Sequence, residues 1–324
     1  MTGTSAPDVA VVGGGPIGLA IALRAQQRGA SVVVLDSGGD GAWRHAAGML
    51  APVTEAHPGE DPLLEQCLES HRRWPDFAAE LGIEVRTTGT LAVARDRDDA
   101  EALDRLHAFR TRLGLPSERL LPSAARRAEP ALAPTVRLAL DAASDWSVDP
   151  HALVTALHAR VPVRSLRVKS LAEIRAGRVV LAAGAWSGQL ADVAVRPVKG
   201  QVLRLRGPEI VERTVRTLDA YLVPRGDGRY VLGATMEERG WDTAPTAGGV
   251  FELIRDMSEV VPGILELEIE SVGAGVRPAT PDNLPLVEER EDGLIVATGH
   301  YRNGILLTPL TADTVAAMLA GVPA

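Results

Sequence analysis

The segment from residue 8 to residue 36, DVAVVGGGPIGLAIALRAQQRGASVVVLD, narrows the choice of fold more than any other part of the chain. Asp8 to Val12 is a short β-rich run, and Leu19, Ala20, Ile21, Leu23 and Ala25 follow among helix formers up to Gln27. Gly29 stops the helix, and Ser31 to Leu35 is a continuous apolar run, as expected for a parallel strand covered on both faces. The unit reads β-α-β. Between its first strand and its helix stand Gly13, Gly15 and Gly18, in the spacing G-x-G-x-x-G. Gly13 permits a sharp turn, Gly15 lets a pyrophosphate approach the backbone, and Gly18 lets the helix lie close to the sheet. The helix start, which includes Pro16, offers unpaired N–H groups and a partial positive charge to phosphates. Asp36 ends the second strand twenty-three positions after Gly13, where an acid accepts hydrogen bonds from ribose hydroxyls, and Ser37 follows it. By itself this motif leaves FAD, NAD and S-adenosylmethionine open.

Composition limits the rest. A chain of 324 residues, 46% hydrophobic and 23% charged, is expected to fold as one large or two interleaved domains. A formal charge of -8 has the wrong sign for broad contact with nucleic acid. The longest near-apolar run, Val9 to Leu23, is too short to span a bilayer and contains three consecutive glycines. The first eight residues carry no basic stretch before it, so the expectation is no leader, no membrane contact and a cytoplasmic location. Cys67 is the only cysteine, which excludes an internal disulfide and any cysteine-based metal site; its leucine neighbours point to packing. No metal is expected.

Further along, Asp61 to Glu80 and Asp98 to Leu113 read as helices, and Glu84 to Ala94 as half-buried antiparallel strands. Pro116 to Pro134 reads as a loop, followed by strands near Val136 to Leu140 and Trp146 to Val148. Asp149 and Pro150 suit the cap and first turn of a helix reaching about Ala159. Arg178 to Ala182 is a second buried-type strand, Pro197 to Val276 reads as antiparallel strands, and Leu294 to Ala297 is a last apolar strand before a helix from about Thr311. The fold class expected is α/β plus antiparallel β. A Rossmann-like nucleotide-binding domain would be assembled from 1–82, 145–195 and 277–324, with an interleaved antiparallel-sheet domain from 83–144 and 196–276.

Three more segments carry the chemistry. Arg44, His45, Ala46, Ala47, Gly48 and Met49 form a small-residue loop whose amides can approach a flat ring. VVLAAGAWS, with Gly184 and Trp186, repeats the strand-to-glycine pattern, and so does Gly299, His300, Tyr301, Arg302, Asn303, Gly304, Ile305, Leu306. A helix start there would stabilise negative charge developing at the pyrimidine edge of a flavin. Together with VRPVKGQVLRL, YLVPRGDGRYVLGATMEERGWDT and GVRPATPDNLPLV, these pieces resemble the FAD-dependent amine oxidases of the D-amino-acid oxidase and sarcosine oxidase superfamily, and within it the glycine oxidases of thiamine biosynthesis.

The resemblance implies a glutathione-reductase-type FAD domain with a substrate domain over the flavin, and non-covalent FAD, since Cys67 lies far from every flavin motif. It assigns Arg277 to the substrate carboxylate, which a guanidinium fork suits bidentately. Arg302 becomes a residue beside the flavin, Tyr221 a hydroxyl reaching the carboxylate, and Met236 a pocket wall that keeps the site small. Val168 becomes an FAD contact, although the stretch between Val163 and Arg178 is shorter than the family usually has. The implied reaction is hydride transfer from a small amino acid (glycine first, then sarcosine or D-alanine) with oxygen as acceptor. It yields an imine, glyoxylate, ammonia and hydrogen peroxide. The implied assembly is a homo-oligomer, often a tetramer.

Overall fold

The computed structural model describes residues 6–320. Residues 1–5, most of the stretch read for a leader, lie outside the described residues. Val9–Val12 is buried at every position, with a strand on each side and with Val9 and Val11 in a core shared with the helix Pro16–Gln27. It pairs in parallel with Val32–Asp36 and with Arg178–Leu181. Ile295–Thr298 continues the sheet in parallel, and Leu286–Glu289 closes that edge antiparallel. Val163–Ser165 closes the other edge beside Asp36, so a strand persists in the short stretch before Arg178. The helix Pro16–Gln27 packs against Thr308–Met318 and Pro150–His158, and its Leu19, Ile21 and Ala22 are fully buried in the shared core.

A second, eight-stranded sheet runs in the order 268–279, 196–206, 229–233, 221–224, 214–216, 90–94, 138–142, 118–120. Strand alternation gives it two different faces. Leu203, Leu205, Val215, Leu222 and Leu232 enter a core shared with Leu253 and Met257 of the helix Ala247–Ser258. Val202, Val223 and Val231 point the other way and meet Ala47, Met49 and Tyr221. The last strand, Glu268–Ala279, runs on past position 277, and a small third sheet joins Met49–Leu50 and Val85–Arg86 to Trp146–Val148. Among the described residues no helix is long and apolar enough to cross a membrane.

Four local expectations need correction. The stretch 116–134 holds the strand Glu118–Leu120 and the helix Pro122–Ala128, whose Pro122 sits harmlessly in the first turn. The strand-rich stretch 197–276 is interrupted by Ala247–Ser258, which Thr246 caps by accepting from the Gly249 N–H at 3.1 Å. Thr90–Ala94 is buried on both faces, and pairs antiparallel with Leu138–Ala142 but parallel with Thr214–Arg216. The last helix starts at Thr308, a turn earlier than its apolar pattern suggests.

Candidate active site

A cavity of about 1000 Å³ opens between the two sheets. The first sheet and its loops line one end with Gly13, Gly15, Pro16, Asp36, Ser37 and Val168. Arg44 to Met49, Gly184, Trp186 and Asn303 to Ile305 continue the wall, and Tyr221, Met236, Arg277 and Arg302 stand at the other end. Three residues named from sequence do not reach it. Gly18 is spent on packing: a β-carbon there would fall 2.0 Å from the Gly13 carbonyl oxygen. Gly299 makes a turn with φ of 78° against Thr280, and Leu306 is buried, its carbonyl accepting from Ser70 and Trp74.

The helix start at Gly15 is open. Gly15 is the cap of Pro16–Gln27, no side chain caps it, and its first turn holds no acid, so its N–H groups face the cavity without a protein anion. Asp36 accepts from the N–H groups of Gly14 and Gly38 at 2.5 and 2.6 Å, which fixes the carboxylate at the end of its strand.

At the far end, glycines form the floor. Arg277 lies over Gly200 of the neighbouring strand, where a β-carbon would sit 2.3 Å from both of its terminal nitrogens. The Tyr221 ring covers its cross-strand partner Gly233, where a β-carbon would meet the hydroxyl at 2.8 Å. His45 lies against Gly273 and Gly275 in the same way, which seats the 42–49 loop on the second sheet. Arg277 donates to the Thr235 carbonyl at 3.1 Å and has no carboxylate at ion-pair distance among the described residues. Burial raises the pKa of the Tyr221 phenol, against the adjacent Arg277 charge, so it stays a neutral donor.

Sequence reading missed the pair beside these. Arg216 stands directly across from Tyr221 and donates to Glu55 at 2.7 Å; Arg302 approaches the other Glu55 oxygen at 3.5 Å and Glu60 at 3.6 Å. Burial opposes the Glu55 charge, but Arg216 and Arg302 outweigh it and hold the carboxyl down at about 2. Met236 lines the cavity at its mouth, where it is 67% exposed and the Tyr301 hydroxyl reaches its sulfur. Trp186 meets Trp241 there, with ring centroids 5.3 Å apart. His300 lines the cavity but is buried, bonded to Thr311 at 2.9 Å and pushed down by burial to about 4, so it is neutral and structural.

Residues 8–318 match the family described as DAO, FAD dependent oxidoreductase. The chain belongs to that family. It is 34% identical to a glycine oxidase of Geobacillus kaustophilus, over 95% of this chain and 92% of the relative. The crystal structure of glycine oxidase from that organism superposes with a TM-score of 0.91 at 33% identity, covering 98% of this chain and 95% of that one. A bifunctional protein ThiO/ThiG of Nostoc is 31% identical, matched over 96% of this chain and 52% of its own length.

The site fits FAD. A side chain at Gly15 would touch only Trp43, at 3.7 Å, so packing within the protein does not demand glycine there; a pyrophosphate drawn to the uncapped helix start does. Gly13, in contrast, is forced by the fold, with φ of 113° and the Ala182 carbonyl 2.3 Å from its would-be β-carbon. Asp36 would take the ribose, and the small residues Ala46, Ala47 and Gly48 leave the wall flat for a ring system. Cys67 is buried and, raised by that burial to about 12, stays a thiol.

Proposed function

We propose that this flavoprotein oxidises glycine, with sarcosine and D-alanine as lesser substrates, and that Arg277 holds the substrate carboxylate. One observation carries the reading. Of the guanidinia at the far end of the cavity, Arg216 and Arg302 are matched by Glu55 and Glu60, while Arg277 is left with carbonyl partners only among the described residues. A half-buried fork without a counter-ion favours a carboxylate. The Tyr221 hydroxyl stands beside it as a neutral donor to the same anion.

When bound, FAD supplies the hydride acceptor and the route by which two electrons reach oxygen. The chain orients the amino acid and excludes water through Tyr221 and the glycine floor, with Met236 and Arg302 bordering the mouth. No strong base is offered. Glu55 is tied up as the carboxylate of two ion pairs, and neutral His300 is bonded to Thr311. The substrate's own amine lone pair therefore drives imine formation as hydride leaves the α-carbon, and hydrolysis of the imine gives glyoxylate and ammonia. Similarity to proteins named bifunctional ThiO/ThiG supports delivery of the product to thiazole formation in thiamine biosynthesis.

We place the flavin-holding domain in 1–82, 145–195 and 277–324 and the substrate domain in 83–144 and 196–276, and propose a cytoplasmic homotetramer, for which light scattering in solution is the check. Anaerobic mixing with glycine, sarcosine, D-alanine and their L- or larger counterparts tests the activity. Glycine should bleach the flavin absorbance, and air should restore it with stoichiometric peroxide. A flavin bleached by none of them removes the proposal, and slow recovery without peroxide would make the protein a dehydrogenase.

A further inference from the structure

The Glu55 cluster does more than fill space. Its carboxylate lines the cavity with only 11% of the side chain exposed, and is held between Arg216 at 2.7 Å and Arg302 at 3.5 Å. Arg216 stands on the same face as Tyr221, its cross-strand partner, and both line the cavity together with Glu55 and Arg277. The two cationic positions thus share one end of one cavity. At the first, Arg277 has no carboxylate among the described residues. At the second, the anion is built into the chain.

Glu55 is also fixed from behind. Asp145, fully buried, accepts from the Val53 and Thr54 N–H groups at 3.0 Å and from the Thr54 hydroxyl at 2.6 Å, which sets the backbone just before Glu55. The Thr54 carbonyl accepts from buried Arg110 at 2.8 Å and from Arg216 at 3.3 Å. The carboxylate is therefore preorganised, not a loose surface group that happens to meet an arginine.

We propose that Glu55 is a specificity-determining residue that occupies, as an internal surrogate, the place of a substrate's second carboxylate, and so restricts the cavity to monocarboxylic amines. The inference rests on the reading that Arg277 takes the α-carboxylate. Physically, a dicarboxylic amine such as aspartate or iminodiacetate would bring its second anion against Glu55 in a desolvated site, where like charges repel strongly and the guanidinia already have their partner. Removing the Glu55 charge would leave Arg216 with no carboxylate and Arg302 with Glu60 alone. Breaking one side of a buried pair leaves a cation that is costly to keep unpaired, and an incoming carboxylate relieves it.

The test uses the FAD-loaded enzyme and dead-end acids, acetate against malonate, with affinity read from perturbation of the flavin spectrum. The same enzymes are then reduced anaerobically by glycine and by iminodiacetate. Wild type should bind malonate at least tenfold more weakly than acetate. Glu55→Gln, or Glu55→Ala where Gln impairs folding, should tighten malonate at least tenfold, leave acetate within about threefold, and let iminodiacetate reduce the flavin; Glu55→Asp, which keeps the charge, should not. Wild type that binds both acids equally overturns the proposal without any variant, and so does a Glu55→Gln enzyme whose malonate affinity is unchanged. Acetate binding that survives Arg277→Lys unaltered would instead overturn the reading beneath it, and this inference with it.

Discussion

The position of Arg277 depends on a residue that has no side chain of its own. The guanidinium can lie where it does only because Gly200 has no side chain. Gly200→Ala should therefore act as an Arg277 variant in disguise: its methyl group must displace the fork, raising the KM for glycine. The loss of one or two hydrogen bonds to a charged group is worth roughly ten- to a hundredfold. Arg277→Lys, which keeps charge but not the planar fork, should fall in the same range with the flavin colour retained. Steady-state kinetics on both variants, beside their flavin content, checks this, and unchanged KM in Gly200→Ala would mean that the arginine is not held by the strand beneath it. No sequence pattern marks Gly200 as different from the chain's other glycines; its meaning comes from the register that pairs its strand with that of Arg277.

At the scale of the element, the glycine turn separates into two kinds of glycine. Gly18 is required by the contact of helix with sheet, since its added β-carbon would strike the Gly13 carbonyl at 2.0 Å. Gly15 has φ of -76° and ψ of 175°, a conformation open to any residue, with only Trp43 at 3.7 Å. Gly18→Ala should cost the protein about 2 kcal/mol or more whether or not FAD is present, because backbone must move. Gly15→Ala should leave the apoprotein within about 0.5 kcal/mol of wild type. Its FAD affinity should nevertheless fall by roughly tenfold or more as the helix start is shielded from the pyrophosphate. Urea unfolding of apoprotein and FAD titration distinguish the two, and equal apoprotein losses would refute the division. The β-α-β unit was legible because its signals are local. The helix Ala247–Ser258 was not, because Gly248, Gly249 and flanking strands hide it, and Gly249 is there to seat the helix on the Gln201 amide.

For the whole molecule, buried His300 and Glu55 cost stability in acid, while buried Asp145, raised from 3.8 to about 6, gains it as pH falls between those values. Burial lowers His300 from 6.5 to about 4, so between those values the unfolded chain takes up a proton that the folded one refuses, and stability falls as pH drops through that window. Glu55 is lowered from 4.5 to about 2, so its contribution is complete above 4.5 and is lost as pH falls toward 2. That contribution is on the order of 3 kcal/mol at neutral pH. Thermal midpoints should decline as pH falls from about 4 toward 2.5, below the window in which Asp145 and His300 oppose each other. Wild type should lose stability relative to His300→Gln as pH falls from 6.5 to about 4, and the stability gap between wild type and Glu55→Gln should shrink as pH falls below 4.5. A gap independent of pH would contradict the ion pairs.

From the amino-acid order alone came the dinucleotide turn, the acid at Asp36 and, through resemblance, Arg277 and Tyr221, because turn geometry, strand length and motif spacing are properties of a few adjacent residues. The pairing of Arg216 with Glu55 across 161 positions, the glycine floor and the exposed place of Met236 were settled only by tertiary structure. Sheet register and the closing of one sheet over the other bring distant residues to one wall, and no local periodicity encodes which residues will meet there.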